Sequence, residues 1–255
     1  MNPTPMPSAP YPSPSLALLA SEPVRALLDL CAAKLSHKPA HVGDGHSVVV
    51  YPGLGGGAIT TSHLRTFLNR AGFKASDWGG GINTGPDSDF EPWLDDLVKR
   101  VHATQAANSG RKVSLLGWSL GGIYAREIAK RIPHAVRQVI TLGTPFASLG
   151  ESNHATGVFK LLNSDAAPLT PEMQEQLRQR PPVPTSSLYS KTDGIVSWRG
   201  CIEKRSDTSE SVEVSASHLG MGSHPQVLRI VVNRLAQAEG RWRPLKRSER
   251  LGQRS

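Results

Sequence analysis

The 255-residue chain holds only two cysteines, Cys31 and Cys201. That is too few for a disulfide framework and favours a reducing, cytoplasmic setting. No Cys/His spacing or histidine pair has the form of a metal site, and no metal or organic cofactor is expected. An uninterrupted apolar run long enough to cross a bilayer is also lacking, because Glu22, Pro23 and Arg25 break the stretch from Leu16 to Leu30. The opening MNPTPMPSAPYPSPS lacks the positive n-region of a secretory signal, and its proline density reads as a disordered leader. No internal repeat is visible.

Glycine (24) and proline (20) are abundant. Apolar segments nevertheless recur at intervals that suit strands and helices rather than a low-complexity polymer. The formal charge of +8 is concentrated at one end, in Arg241, Arg243, Lys246, Arg247, Arg250 and Arg254. Without these and Glu249 the remainder carries only about +3. The basic tail therefore reads as a solvated end rather than a binding arm, and no nucleic-acid partner is expected. The organisation read from this is a leader and N-terminal helix over 1–45, a main domain over 46–240 and a basic tail over 241–255. The length suits one main domain.

Val24, Leu27, Leu28 and Leu30 mark an amphipathic helix running to about Leu35 and packing outside the main sheet. The β-branched run from His46 to Tyr51 reads as a strand buried on both faces. The Gly53 to Gly57 loop then leads to a helix carrying Leu64, Phe67, Leu68 and Ala71, stopped by Gly72. Phe73 to Trp78 suggests a strand, and Asp89 with Pro92 opens a further helix. Lys112 to Leu116 reads as a strand, Gly117 to Gly122 as the turn into a helix ending before Pro133, and Val136 to Leu142 as the next strand. The alternation predicts an α/β fold, a mostly parallel sheet with helices on both faces. It lapses over 146–184, read as a small helical cap with helices near Val158 to Leu162 and after Thr170 and Pro171. Strands at Thr185 to Tyr189 and Ser211 to Val214 follow, then a last helix opened by Pro225.

Gly117-Trp118-Ser119-Leu120-Gly121 has the GxSxG form. In that motif a serine sits on a sharp strand-to-helix turn where glycines avoid clashes. A predicted strand before it and an amphipathic helix after it are the context the motif needs. A serine hydroxyl is a poor nucleophile at neutral pH, so it requires a general base, and the base requires an anion to fix its tautomer. Asp193 and His218 each follow a predicted strand, in the order acid then base. Asp165 is the reserve acid and His224 the rival base, although His224 precedes Pro225 and suits a helix start. His63, His102 and His154 read as surface or packing residues. The backbone N–H groups of Leu54 and Leu120 are the candidate oxyanion donors. Phe159, Leu161, Leu162, Leu169, Met173 and Leu177 could line an apolar acyl pocket or pack the cap's own helices, and Phe159, Leu162 and Met173 are the candidates for substrate contact. A competing reading takes Gly53, Gly55 and Ala58 with Asp77 as a dinucleotide fingerprint.

With YPGLGGG, GWSLGG, SKTDGIVSW and SASHLGM in that order, residues 46 to 238 resemble the α/β-hydrolase superfamily, lipase and esterase branch. The resemblance implies Ser119, Asp193 and His218 as a triad, the Leu54 and Leu120 amides as an oxyanion hole, and a small-molecule or lipid ester as substrate. Many relatives have His-Gly where this chain has Pro52-Gly53. GWSLGG and DGIVSW are also similar to stretches of polyhydroxyalkanoate synthases, whose nucleophile is cysteine where Ser119 stands here. That difference favours hydrolysis over polymerisation and leaves acyl transfer to an alcohol as the alternative.

Overall fold

The computed structural model describes residues 11–35, 39–87, 89–148 and 170–245. In chain order the elements are α1 (Leu16–Leu35), β1 (Ser47–Tyr51), α2 (Ser62–Arg70), β2 (Lys74–Asp77), α3 (Phe90–Ala107), β3 (Val113–Trp118) and α4 (Leu120–Arg131). There follow β4 (Val136–Leu142), α5 (Pro171–Arg178), β5 (Thr185–Tyr189), a 3-10 turn (Trp198–Cys201), β6 (Ser209–Glu213) and α6 (Pro225–Leu235). The six strands form one sheet in the order β2-β1-β3-β4-β5-β6, and every neighbouring pair is parallel. This is the mostly parallel α/β sheet expected from the alternation of strands and helices, and it fits the α/β-hydrolase fold that the resemblance implies.

Parallel strands covered on both faces need apolar residues in both phases of the pleat. The SVVVY of β1 supplies them. Val48 and Val50 join one core with Leu64 and Leu68 of α2 and Val227, Leu228 and Val231 of α6. Val49 and Tyr51 join the other with Leu94, Leu97 and Val101 of α3 and Ile123 and Ile128 of α4. Helix α4 therefore lies against the sheet directly after the GxSxG turn.

Two buried ion pairs lock this frame. Arg126 of α4, with a fully buried side chain, donates to Glu203 Oε2 at 2.6 Å and to the Gln179 carbonyl at 3.0 Å, and its guanidinium lies 3.7 Å above the Phe146 ring. Arg234 of α6 donates to Glu210 Oε1 at 2.9 Å. Removing one partner of such a pair leaves a buried, uncompensated charge at a cost of ~3–5 kcal/mol. Arg126→Met should therefore lower the urea midpoint of unfolding by an amount corresponding to about that loss. A midpoint unchanged from wild type would mean that Glu203 finds another partner.

Several expectations need correction. Strand β3 runs on through Gly117 and Trp118, which pair with Thr141 and Leu142, and α4 begins at Leu120. The turn thus shrinks to a single residue, Ser119. Strand β2 starts at Lys74 rather than Phe73, and β6 spans Ser209–Glu213 rather than Ser211 to Val214. Helix α1 begins at Leu16 with Pro23 inside it, and the apolar residues read as its packing face largely point outward. Val24, Leu27 and Leu28 are 64%, 61% and 62% exposed, whereas Glu22 is buried. The reason is that Glu22, Arg25 and Asp29 have hydrogen-bonding partners on the loops below, and those contacts set the rotation of the helix. The cap helix expected near Val158 to Leu162, with Phe159 and Leu162, falls outside the described residues. Helix α5 is capped by Thr170, whose hydroxyl accepts from the Met173 amide at 3.2 Å.

Candidate active site

In an open parallel sheet, the crevice at the strands' carboxyl ends is widest where the strand order reverses. Here the chain passes from β1 outward to β2 and then returns to β3 on the other side of β1. The loops after β1 and β3 face each other at that point, and they carry Gly53 to Gly57 and Ser119.

Ser119 has φ +52° and ψ −121°, a conformation that L-residues with a Cβ rarely adopt. Its neighbours hold it there. The Ser119 N–H donates to the Leu142 carbonyl at 2.8 Å, and the Ser119 carbonyl accepts from the Gly122 amide at 3.0 Å and from the Thr144 hydroxyl at 2.9 Å. Side chains on Gly117 or Gly121 would overlap backbone atoms of Gly122 or Tyr51, so the strand, the turn and α4 pack at this distance only with glycine there. The Ser119 side chain is half-buried, and its hydroxyl makes no hydrogen bond among the described residues. A Cβ placed on Gly53 would come within 3.2 Å of Ser119 Cβ, which fixes the first loop against the turn.

Asn83, which sequence reasoning passed over, holds that loop. Its carbonyl accepts from Gly55 N and its amide donates to Gly56 O, both at 2.7 Å, and its Nδ2 donates to Pro52 O at 2.8 Å. The Tyr124 hydroxyl of α4 in turn donates to Asn83 Oδ1 at 3.1 Å. Asn83 is fully buried, and its position in a glycine-flanked Asn-Thr-Gly stretch was the only sequence signal. With the loop held in this way, the Leu54 and Leu120 amides remain without a hydrogen-bond partner among the described residues. The loop leads into α2 only at Ser62, so Gly53 and Gly55 do not sit at a helix N-terminus as a pyrophosphate-binding turn requires. The Asp77 carboxylate accepts from Gly79 N at 3.0 Å.

Asp193 and His218, 25 residues apart in sequence, meet in the structure. His218 Nδ1 lies 2.6 Å from Asp193 Oδ2, and both residues are buried. The other carboxylate oxygen accepts from the amides of Ile195 at 2.9 Å and Val196 at 2.8 Å, so the Asp193 side chain has little freedom to rotate. Burial pulls the His218 pKa down, but the Asp193 carboxylate and then Glu22 more than offset it, leaving the imidazole more basic than usual. His218 lies close to Trp118, the residue before Ser119, and to Gly143, the residue after β4. Trp118 Nε1 donates to the His218 carbonyl at 3.1 Å, and a Cβ on Gly143 would lie 3.0 Å from His218 Nδ1.

The rival histidines are elsewhere. His224 is the N-cap of α6 and accepts from Gln226 N at 3.2 Å. His102 stacks on His134, and His63 is half-buried on α2. His154 and Asp165 lie outside the described residues. Met173 packs against the core on the α4 side, and Leu177 is buried in it. No group of three or more potential ligands for a metal occurs among the described residues. None of the described helices is long and apolar enough to cross a membrane.

A second Ser-His-Asp arrangement shows why distances alone do not identify a reactive site. His46 Nε2 is 2.8 Å from Ser114 Oγ, and His46 Nδ1 is 2.5 Å from Asp44 Oδ1. Ser114 and His46 are fully buried at the amino ends of β3 and β1, where no substrate reaches the hydroxyl. Asp44 is shared with Arg111 and Arg137, so this cluster ties strand ends together.

The chain is 35% identical over 112 residues to the serine hydrolase BPHL of Mus musculus, and 27% identical over 104 residues to the pimeloyl-[acyl-carrier protein] methyl ester esterase of Shewanella woodyi. Each match covers 40% of this chain and only 37% and 38% of the respective relative. Among solved structures, Aspergillus fumigatus lipase B superposes with a TM-score of 0.55 at 16% identity, over 83% of this chain and 58% of that one. The family model described as serine aminopeptidase, S33, matches residues 45–203, more than half of the chain. The chain therefore belongs to that family of α/β hydrolases.

Proposed function

We propose that the protein is a serine esterase that cleaves a carboxylic ester through an acyl-enzyme on Ser119. The observation that carries this reading is the buried Asp193–His218 hydrogen bond beside a serine held at positive φ between strand and helix. His218 Nε2 takes the Ser119 proton as Oγ attacks the acyl carbonyl, and Asp193 stabilises the imidazolium that forms. The Leu54 and Leu120 amides stabilise the oxyanion of the tetrahedral intermediate. The imidazolium returns its proton to the departing alcohol, and the acyl group stays on Ser119. Water, deprotonated by His218, then attacks the acyl-enzyme, and as the acid leaves the imidazolium returns that proton to Ser119 Oγ.

The ester preference draws support from two of the relatives named above, an esterase and a lipase. The family description names an aminopeptidase, which makes peptides the competing substrate class. A panel of p-nitrophenyl esters from short to long acyl chains, set beside aminoacyl p-nitroanilides, separates the two. Ester turnover exceeding anilide turnover by at least about tenfold in kcat/KM is expected. Preferential turnover of the anilides would overturn the ester assignment while leaving the serine mechanism in place.

A further inference from the structure

We infer that Glu22, on the N-terminal helix α1, is a positioning residue that joins the loop carrying Asp193 to the loop carrying His218. The inference rests on the proposed roles of those two residues. Glu22 Oε1 accepts from the Gly194 amide at 2.7 Å and from the His218 amide at 3.0 Å, and Oε2 accepts from the Leu219 amide at 2.9 Å. One carboxylate thus receives three backbone donors from two loops that lie far apart in sequence. It does so with 1% of its surface exposed. A buried carboxylate is stable only when its lone pairs are filled, and a buried amide only when it donates. Neither loop can shift relative to the other without breaking these bonds.

The rest of the helix face extends the clamp. Arg25, one turn on, donates to the Thr192 carbonyl at 2.6 Å and the Thr192 hydroxyl at 2.9 Å, on the Asp193 loop. Asp29, a further turn on, accepts from the Ser217 amide at 3.0 Å and the Ser217 hydroxyl at 2.7 Å, on the His218 loop. Residues three and four apart share a helix face, so 22, 25 and 29 form one polar stripe. Contact is close, since a Cβ on Gly194 would lie 2.5 Å from the Leu18 carbonyl oxygen. The helix lies outside the 45–203 stretch matched by the family model.

The test uses the full-length protein and reads Glu22→Gln and Glu22→Ala in two ways. Kinetics with a p-nitrophenyl ester should give a fall in kcat of ~10–100-fold with KM changed less than about threefold, because misplacement of a base acts mainly in the transition state. Proton NMR should show the downfield His218 Nδ1 resonance, assigned by its loss in His218→Gln, weakened or absent in both Glu22 variants while their amide spectra stay folded. Wild-type kcat with an unchanged His218 resonance overturns the inference. An unchanged resonance with reduced kcat also overturns it, since the loss would then arise elsewhere. If wild type itself hydrolyses no ester, the esterase reading fails, and the resonance still decides whether Glu22 positions His218. If neither variant folds, hydrogen exchange of wild type decides. Gly194, His218 and Leu219 amides exchanging together with the α1 amides support the clamp, and exchange decoupled from α1 rejects it.

Discussion

Ser119→Ala should reduce kcat for p-nitrophenyl ester hydrolysis by ~10⁴-fold or more while leaving the cooperative unfolding transition near that of wild type. The activity loss follows from the chemistry. Without Oγ there is no covalent intermediate, and only general-base attack by water in the oxyanion site remains. The retained stability follows from the packing. Ser119 Oγ makes no hydrogen bond among the described residues, so its removal leaves no orphaned partner there, and the backbone bonds to Leu142, Gly122 and Thr144 do not involve the side chain. Alanine shares the positive-φ strain of serine and adds no new penalty. A variant that loses activity only because it unfolds would show a lowered transition midpoint, so the two measurements belong together.

Asp193→Asn should lower kcat by ~10³–10⁴-fold and also move the pH profile. In the proposed mechanism His218 must be neutral to accept the serine proton, so activity should be lost as pH falls through its pKa. In the wild type burial is the largest single influence and lowers that pKa, but the Asp193 charge, the Asp193 hydrogen bond and the Glu22 charge together raise it further, so the acid limb should lie above the ordinary imidazole value. Removing the carboxylate charge leaves burial as the main influence. The limb of the residual activity should therefore shift to lower pH. A limb that stays in place would show that another group than His218 controls it.

Much of this architecture was legible because local chemistry and tertiary packing favour the same structure. Val136–Leu142 and Thr185–Tyr189 are strands with the expected ends: VRQVITL is rich in β-branched residues and stops at Gly143, and TSSLY follows Pro184 and stops at the polar Ser190-Lys191 turn. The Thr170–Pro171 and His224–Pro225 helix starts were visible for the same reason, because each cap acts within a few residues. The serine turn was recognisable from Gly117 and Gly121, although its reduction to one residue depends on how far β3 pairs with β4.

What escaped the sequence reading acts over longer distances. The apolar pattern Val24, Leu27, Leu28 implied which face of α1 packs, yet the helix turns that face outward. Glu22, Arg25 and Asp29 looked like interruptions of an apolar run because their partners lie on loops 167 to 197 residues away. Asn83 was silent for a related reason. Asparagine between glycine-rich stretches reads as a turn residue, and only the folded chain brings it against Pro52, Gly55, Gly56 and Tyr124.

The most direct test of the central claim is labelling of folded protein with a fluorophosphonate probe, followed by intact-mass and peptide analysis of wild type and Ser119→Ala. The account predicts one adduct per chain, located on Ser119, and none in the variant. An adduct on another residue, labelling that persists in Ser119→Ala, or folded wild type that takes up no probe would contradict it.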